Sequence, residues 1–139
     1  MDDTHAPDCM IFLLSKAFQK GHFLIKKRLA PYGLTNMQYV VLETLFHLEG
    51  LTAVELSTIL AMDKATLSGV LERMAESGFI EKRPDENDRR AIRVYLTERS
   101  KNLRATLLKE REAANEELLS GFKIEEKVLL RRFLMDMIA

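Results

Sequence analysis

Residues 83–97 carry the charged side chains whose spacing most directly suggests a chemistry. They read RPDENDRRAIRVYLT, a charged turn that starts at a proline and leads into alternating apolar and polar residues. Arg89 and Arg90 in this turn are long cations, which the negative potential of a DNA minor groove attracts. Asp88, two residues before Arg90, can accept hydrogen bonds from its guanidinium and fix its direction. The alternative is an ordinary surface ion pair, worth about 0–1 kcal/mol.

A second group of candidate residues lies on the helix predicted over residues 63–77. Its apolar residues recur at helical spacing and would face inward: Leu67, Val70, Leu71 and Met74. The outward face would then carry Lys64, Thr66, Ser68 and Arg73, with Gly69 among them. Small polar residues near the start of such a helix let it enter a major groove and meet base edges. A merely solvated helix face would have a similar composition.

The elements that must position these residues are two helices and a hairpin. Residues 52–62 and 63–77 have the length and spacing of a helix-turn-helix. Residues 79–83 predict one strand, and the alternation that follows predicts its partner, with Ile92, Val94 and Leu96 on one face. A helix-turn-helix followed by a cationic hairpin is an arrangement suited to holding duplex DNA.

Helix signals elsewhere complete a mainly α (α+β) winged helix-turn-helix in the order ααααββαα. Residues 1–7 are expected to be disordered, with Asp8 as the N-cap of a helix of about twenty residues that runs to Pro31. Thr35 and Thr52 begin capping-box patterns with Gln38 and Glu55, and the helix after Thr35 is expected to end at Gly50. Further caps are expected at Asp63 and Thr97, before the second helix of the pair and a long helix. The last helix is predicted over residues 125–138.

The terminal helices indicate a homodimer. The final helix is apolar on most of its circumference, and such a helix must be buried. Burial against a second copy is the favoured interpretation, and folding back on the chain's own core is the alternative. The residues expected at the dimer interface are Ile11, Leu14, Val128, Phe133 and Met137. The predicted organisation is a dimerisation helix in residues 1–34, a DNA-binding domain in 35–97 and further dimerisation helices in 98–139.

Composition sets broader bounds on the class of protein. A chain of 139 residues with 47% hydrophobic content suffices for one globular domain. No apolar run approaches the roughly 18 residues of a membrane span, no signal peptide is recognisable, and the single cysteine fits a reducing compartment. We therefore expect a cytoplasmic protein. The net charge is 0, whereas DNA-binding domains are usually basic, so the hypothesis of DNA binding depends on the placement of charge.

Residues 51–97, with the run ATLSGVLERMAESGFIEKRPDENDRRAIRVYLT, resemble the multiple-antibiotic-resistance regulator (MarR) family of bacterial winged-helix transcription factors. The most specific part is Asp88-x-Arg90 followed by a strand that ends in Leu96 and Thr97. The resemblance implies an obligate homodimer that binds palindromic operators, usually as a repressor. It further implies release of DNA by a small molecule, often a phenol or aromatic carboxylate, or by an oxidant, at the junction of the dimerisation and DNA-binding parts.

By position, the resemblance assigns roles to individual residues. Arg90 corresponds to the wing arginine, beside Arg89, and Asp88 to the residue that orients it. Lys64, Thr66, Ser68 and Arg73 correspond to recognition-helix contacts. The resemblance identifies no effector and no effector-binding residues.

Other chemistries find less support in the sequence. Peroxide-sensing members of the family carry a cysteine near the start of the first helix with tyrosines around it. Here Cys9 falls two residues early and Met10, Phe12 and Leu13 surround it, so we expect an unreactive thiol among apolar side chains. The three histidines are widely spaced, which argues against a metal site. No nucleophile–base pair or phosphate loop is evident, so we expect neither an enzyme nor a cofactor. A winged-helix module that binds protein and not DNA is the alternative function.

Overall fold

The computed structural model describes residues 7–139. The expected disordered start and His5 thus lie outside the described residues, apart from Pro7. The elements in chain order are α1 Met10–Leu29, a 3-10 turn Ala30–Tyr32, α2 Asn36–His47, β1 Leu51–Thr52, α3 Ala53–Ile59, α4 Lys64–Glu76, β2 Ile80–Pro84, β3 Ile92–Leu96, α5 Glu98–Leu118 and α6 Ile124–Ile138. The predicted mainly helical winged helix-turn-helix is confirmed, with one strand more than expected.

Side-chain caps begin α5 and the helices of the winged part, the name used here for residues 35–97, as the sequence predicts. At α2 the Gln38 amide donates to Thr35 Oγ1 over 3.2 Å and the Thr35 amide donates to Gln38 Oε1 over 3.1 Å, a complete capping box. Thr52 and Thr97 accept from the amides three residues on, at α3 and α5. The expectation for α1 was wrong: its N-cap is Cys9, not Asp8, and makes no side-chain cap bond.

The helix after Thr35 is shorter than predicted. It ends at His47, so Leu48 is 58% exposed and does not join the core. Gly50 then takes a left-handed backbone with φ of +81°, and its amide donates to the Val94 carbonyl. The chain thus leaves the helix early in order to enter the sheet.

The sheet has three strands in the order β1-β3-β2, all antiparallel. The predicted hairpin of β2 and β3 is present, with Ile80 opposite Leu96 and Pro84 opposite Ile92. The expectation of only two strands was wrong, because Leu51 and Thr52 pair with Val94 and Arg93 on the other side of β3. A two-residue strand of this kind has no periodicity of its own and is specified by its distant partner.

One core joins the winged part to α5. Its fully buried members include Leu42, Leu45, Leu56, Leu67, Met74, Phe79, Val94 and Leu107. Thr97 Oγ1 donates to the Gly78 carbonyl over 2.8 Å, and the buried Ser100 hydroxyl donates to the Phe79 carbonyl over 2.6 Å. These bonds fix the start of α5 against the base of the hairpin. Ile92, expected on the buried face of its strand, is instead 40% exposed, because it lies at the far end of β3.

The terminal helices present apolar surface to solvent in the single chain. Within α6, all of whose residues are described, no residue is buried. The exposed apolar residues of α1 and α6 include Met10, Ile11, Phe18, Phe23, Val128, Met137 and Ile138. α1 packs against α5, where a Cβ on Gly21 would lie 3.2 Å from a Leu118 methyl carbon. Folding of α6 back onto the chain's own core, the alternative to dimer burial, is not what the single chain does.

Candidate nucleic-acid interface and effector cavity

The N-terminus of α4 is organised by Asp63. Its carboxylate accepts from the Thr66 amide over 2.8 Å and from the Thr66 hydroxyl over 2.6 Å. The hydrogen bond from the hydroxyl, and then that from the amide, lower the pKa of Asp63 below its usual value. Since the Thr66 proton is committed to Asp63, the hydroxyl offers only its lone pairs to a ligand. In a major groove it would therefore accept from an amino group of adenine or cytosine.

The predicted outward face of α4 is exposed to solvent. Lys64, Thr66, Ser68 and Arg73 are all exposed, whereas Leu67, Leu71 and Met74 are buried. A Cβ on Gly69 would meet nothing closer than the Arg73 guanidinium at 3.9 Å. The packing of this chain therefore does not require a glycine at position 69. The surface beside Gly69 is open to a molecule outside the chain.

The hairpin tip holds its arginines differently from the prediction. Asp88 Oδ1 accepts from the backbone amide of Arg90 over 2.9 Å, so the carboxylate holds the turn and not the guanidinium. Asp85 makes the same type of bond to the Asn87 amide. Both Arg89 and Arg90 are exposed, and their guanidinium groups make no hydrogen bond or ion pair with residues 7–139. The tip therefore presents two uncompensated cations on a structured turn.

Arg93 anchors the hairpin, a role that the sequence analysis missed. Its guanidinium contacts Asp85 Oδ2 through Nε at 3.0 Å and Nη2 at 2.9 Å, and Nη1 donates to the Gly50 carbonyl over 2.8 Å. The amide of Asn87, and more weakly Arg93, keep the pKa of Asp85 below its usual value against the opposing effect of burial. The hairpin is thus hydrogen-bonded to the loop that leads into the helix-turn-helix. The only signal in the sequence was an arginine on the outward face of the strand.

A shallow groove of about 240 Å³ separates α4 from the wing. Lys64 and Ser68 of α4 line it together with Lys82 and Ile92 of the hairpin. The structure thus adds Lys82, a second lysine that sequence reasoning did not select, beside the predicted Lys64. It also shows that the exposed face of α4 adjoins the hairpin, so that both can meet one extended ligand.

The residues predicted for a dimer interface lie on the exposed faces of the terminal helices. Ile11 is 79% exposed, Val128 64% and Met137 58%, and Leu14 and Phe133 are also exposed. None of them is needed to complete the core of the single chain. Leu14 additionally borders a cavity, together with Leu130 and Leu134 of α6.

That cavity has a volume of about 850 Å³ and lies between α1, α2, α5 and α6. Its walls are mostly apolar, with contributions from Phe18, Ile25, Val40, Ala114, Leu118 and Phe122. Tyr39, Glu43 and Arg111 form a polar cluster in the wall: the Tyr39 hydroxyl donates to Glu43 Oε1 over 2.8 Å, and Arg111 donates to the same oxygen. The sequence analysis named no effector-binding residue, because residues of four separate helices create this cavity.

Burial and hydrogen bonding shift the pKa values in this cluster. Burial, and then the hydrogen bond to Glu43, raise the pKa of Tyr39 well above its ordinary value, so that its hydroxyl stays a donor. Burial alone would lower the pKa of Arg111, but its bonds to Glu43 and Glu112 outweigh that effect and raise it. Tyr39 and Arg111 thus both donate to the Glu43 carboxylate and hold it in place.

Residues 7–139 also bear on metal binding, membrane insertion and thiol chemistry. No group of three or more histidine, cysteine, aspartate or glutamate side chains there is placed to hold a metal ion. No helix in the described part is long and apolar enough to cross a membrane. Cys9 is exposed, so the prediction that apolar side chains surround its thiol is wrong for the single chain.

Fold and interface together define a winged helix-turn-helix protein with terminal helices outside the winged part. A sequence model of the MarR family matches residues 34–92, and the chain belongs to this family. Its members are transcriptional regulators and not enzymes, as the sequence analysis expected.

Relatives and solved structures agree with this assignment. The uncharacterised HTH-type transcriptional regulator YybA of Bacillus subtilis is 32% identical over 94 residues, which cover 68% of this chain and 63% of YybA. A structure of a mutant MarR from Escherichia coli complexed with operator DNA superposes with a TM-score of 0.85 at 25% identity, covering 94% of each chain. Bordetella bronchiseptica BpsR, whose DNA binding is regulated by 6-hydroxynicotinic acid, gives 0.88 at 26% identity, covering 98% and 97%. The chain spans 48–63% of the length of the first curated relatives it matches.

Proposed function

We propose that the protein is a sequence-specific transcriptional regulator that acts as a repressor and binds a palindromic double-stranded operator as a homodimer. The observation that carries the proposal is the continuity of two surfaces. The exposed polar face of α4 adjoins the hairpin across a groove flanked by Lys64 and Lys82, and the hairpin tip carries Arg89 and Arg90. A helix of this kind fits a major groove, and the tip reaches the neighbouring minor groove.

Each residue of this surface has a distinct role in the proposal. Lys64, Lys82 and Arg73 contact phosphates, while Thr66 and Ser68 meet base edges near the start of α4. Arg90, with Arg89 beside it, enters the minor groove, and Asp88 fixes the turn that directs it. The neutral net charge of the chain is compatible with this role, because the surface that DNA would meet still carries five exposed cations: Lys64, Arg73, Lys82, Arg89 and Arg90.

The dimer is proposed from the unpartnered terminal helices. Residues 1–34 and 98–139 would form the dimerisation part, and residues 35–97 would read DNA. Exposed apolar surface on both α1 and α6 supports an interface between copies, since a contiguous patch of this kind is unfavourable in water. Ile11, Leu14, Val128, Phe133 and Met137 are assigned to this interface. Two winged parts would then address half-sites about one helical turn apart.

Release by a small-molecule effector is proposed from the position of the cavity. Its walls come from α1, α5 and α6 of the dimerisation part and from α2 of the winged part. An aromatic or phenolic ligand there would contact both parts at once, so that its binding energy could change their relative orientation. BpsR, with its reported regulation by 6-hydroxynicotinic acid, is a relative that responds to such a molecule.

A salt titration distinguishes this function from the rival protein-binding module. Binding of the protein to duplex DNA from the region upstream of its own gene is measured by fluorescence anisotropy at several salt concentrations. Because each neutralised phosphate contributes about −0.9 to the log–log slope, we expect a slope of about −5 or steeper for six or more contacts. The variant Lys82→Ala should make the slope less steep by about 0.9, the contribution of one phosphate contact. Absence of binding, or binding that ignores salt, would support the protein-partner alternative.

A further inference from the structure

Three consecutive backbone carbonyls at the end of α4 each accept a hydrogen bond from a side chain at the start of α5. Arg99 Nη1 donates to the Ser77 carbonyl over 2.8 Å, beside the bonds from Thr97 and Ser100 to the next two carbonyls. Ser77 is the C-cap of α4, and Gly78 after it takes a left-handed backbone with φ of +79°. The start of α5 therefore holds the point at which α4 ends.

The Arg99 guanidinium is held in this position from a second side. Its central carbon lies 4.3 Å from the centroid of the Phe79 ring, and Phe79 itself is only 2% exposed. A planar guanidinium can stack on a ring and donate in its own plane at the same time. A cation at the C-terminal end of a helix also meets the negative end of the helix dipole. Arg99 thus joins α4 to α5, although its side chain lies at the surface.

The orientation of α4 matters most at the end opposite to these bonds. Thr66 and Ser68, which are proposed to meet base edges, lie near the N-terminus of α4, whereas Arg99 bonds to its C-terminus. Since α4 has 13 residues, it is about 20 Å long, and a rotation of about 10° at its C-terminal end would move Thr66 by about 3 Å. Such a shift is as long as a hydrogen bond and would lose a base contact.

α5 is also the element that relates α4 to the rest of the proposed dimer. Its first turn bonds to the end of α4, and farther along it packs against α1, where Leu118 lies beside Gly21. In a dimer formed by the terminal helices, the two copies of α5 would set the two α4 helices relative to each other. Specific binding requires both to fit their half-sites at the same time, whereas non-specific binding to phosphates tolerates other orientations.

We propose that Arg99 is a positioning residue for operator recognition, which sets the orientation of α4 relative to α5 and contacts no DNA itself. This inference rests on the proposed function, because it concerns how the same surface distinguishes an operator from other DNA. Loss of Arg99 should weaken specific binding and leave non-specific binding unchanged. A direct phosphate contact would instead weaken both, and a purely structural role would lower the folded fraction and so weaken both equally.

The preference for operator over unrelated DNA tests the proposal. Anisotropy titrations of the full-length protein compare duplex DNA from the region upstream of its own gene with a scrambled duplex of the same length and composition. Arg99→Met keeps an unbranched stem and removes the donors and the charge. The preference should fall by about tenfold, on the scale of one mismatched base pair, while affinity for the scrambled duplex and its salt slope stay unchanged. A parallel fall in both affinities would overturn the proposal.

Arg104→Met is the matched control. Arg104 is also an exposed arginine of α5 near an aromatic ring, with its guanidinium carbon 5.7 Å from the Phe46 centroid, but it makes no hydrogen bond or ion pair with residues 7–139. This variant removes the same charge and should leave the preference unchanged, so an equal fall in both variants would contradict the proposal.

Arg99→Lys separates charge from geometry. Lysine keeps the charge but lacks the planar group that stacks on Phe79, so it should recover only part of the preference. Full recovery by lysine, or a salt slope that is less steep by about 0.9 in Arg99→Met, would make Arg99 a phosphate contact and overturn the positioning role. If Arg99→Met does not fold, the preference measured in Arg99→Lys decides by the same criterion.

The unmodified protein separates this inference from the proposed function. If it shows no preference for the upstream duplex, the proposed function is wrong, and the role of Arg99 in recognition is wrong with it. If it prefers the upstream duplex and Arg99→Met keeps that preference in full, the regulator stands and the role of Arg99 is wrong.

Discussion

Arg90 is positioned by its backbone while its side chain stays free. Its amide is held by Asp88, and its exposed guanidinium has no hydrogen-bond or ion-pair partner among the described residues. Such a group can bind DNA without first losing an internal bond. Its contribution should therefore appear in DNA affinity and not in the stability of the fold.

Arg90→Ala should weaken operator binding by roughly 1–3 kcal/mol, the scale of one groove contact. Anisotropy titration measures the loss, and thermal unfolding should show an unchanged midpoint. Arg83→Ala is a useful comparison, because Arg83 already pairs with Glu81 and stacks on Tyr95. A loss of stability in Arg90→Ala, or equal loss of affinity in both variants, would count against the proposed role.

Asp88 can be tested by separating its charge from its hydrogen bond. Asn at this position still accepts from the Arg90 amide, whereas Ala does not. Asp88→Asn should therefore bind operator at least as well as the unmodified protein, because a negative charge near phosphate is lost. Asp88→Ala should bind more weakly, and its combination with Arg90→Ala should be little worse than Arg90→Ala alone. Tighter binding by Asp88→Ala would reduce Asp88 to a surface charge.

Gly69 is a position in α4 where one substitution should affect the stability of the fold and the affinity for DNA in opposite directions. A Cβ there fits without conflict inside the chain, and alanine is favoured over glycine in a helix by up to about 1 kcal/mol. Gly69→Ala should raise the unfolding free energy and yet weaken operator binding, because the added methyl would face the groove floor. Denaturant unfolding and anisotropy on the same samples test both parts. Unchanged affinity in a stabilised variant would place Gly69 away from the DNA.

Elements specified by local signals could be predicted from the sequence. The caps at Thr35, Thr52, Asp63 and Thr97 lie next to the helices they begin, and the alternation of β3 is visible in its own residues. β1 could not be predicted, since two residues carry no period and its partner lies about forty residues away in sequence. The early end of α2 follows from the same distant pairing.

The candidate site divides in the same way. The exposed residues of α4 and the hairpin tip followed from helical and strand periodicity. The anchoring role of Arg93 did not, because it depends on contacts with Asp85 and with the distant Gly50. The cavity could not be predicted either, since its walls come from four helices that only the tertiary fold brings together.

For the molecule as a whole, α6 is the element whose loss should be most informative. Removal of residues 124–139 should expose the partner surface on α1 and take away half of the proposed interface, giving aggregated or unfolded protein. Size-exclusion chromatography with light scattering and circular dichroism measure the outcome. A milder variant, Val128→Glu, should shift a dimer towards monomer while the winged part stays folded. A folded monomeric truncation that still binds operator would contradict the dimer.

The clamp that Arg93 forms between Asp85 and the Gly50 carbonyl has a further consequence. β1 pairs with β3 of the hairpin and leads directly into α3. Together with the Arg93 clamp, this pairing holds the hairpin and the helix-turn-helix as one rigid body. We expect a ligand in the cavity to leave the fit of each winged part to its own half-site unchanged and to alter only the separation between the two copies. Operators that differ in the number of base pairs between half-sites would then differ in their response: a spacing that suits the liganded dimer would be bound more tightly when effector is added.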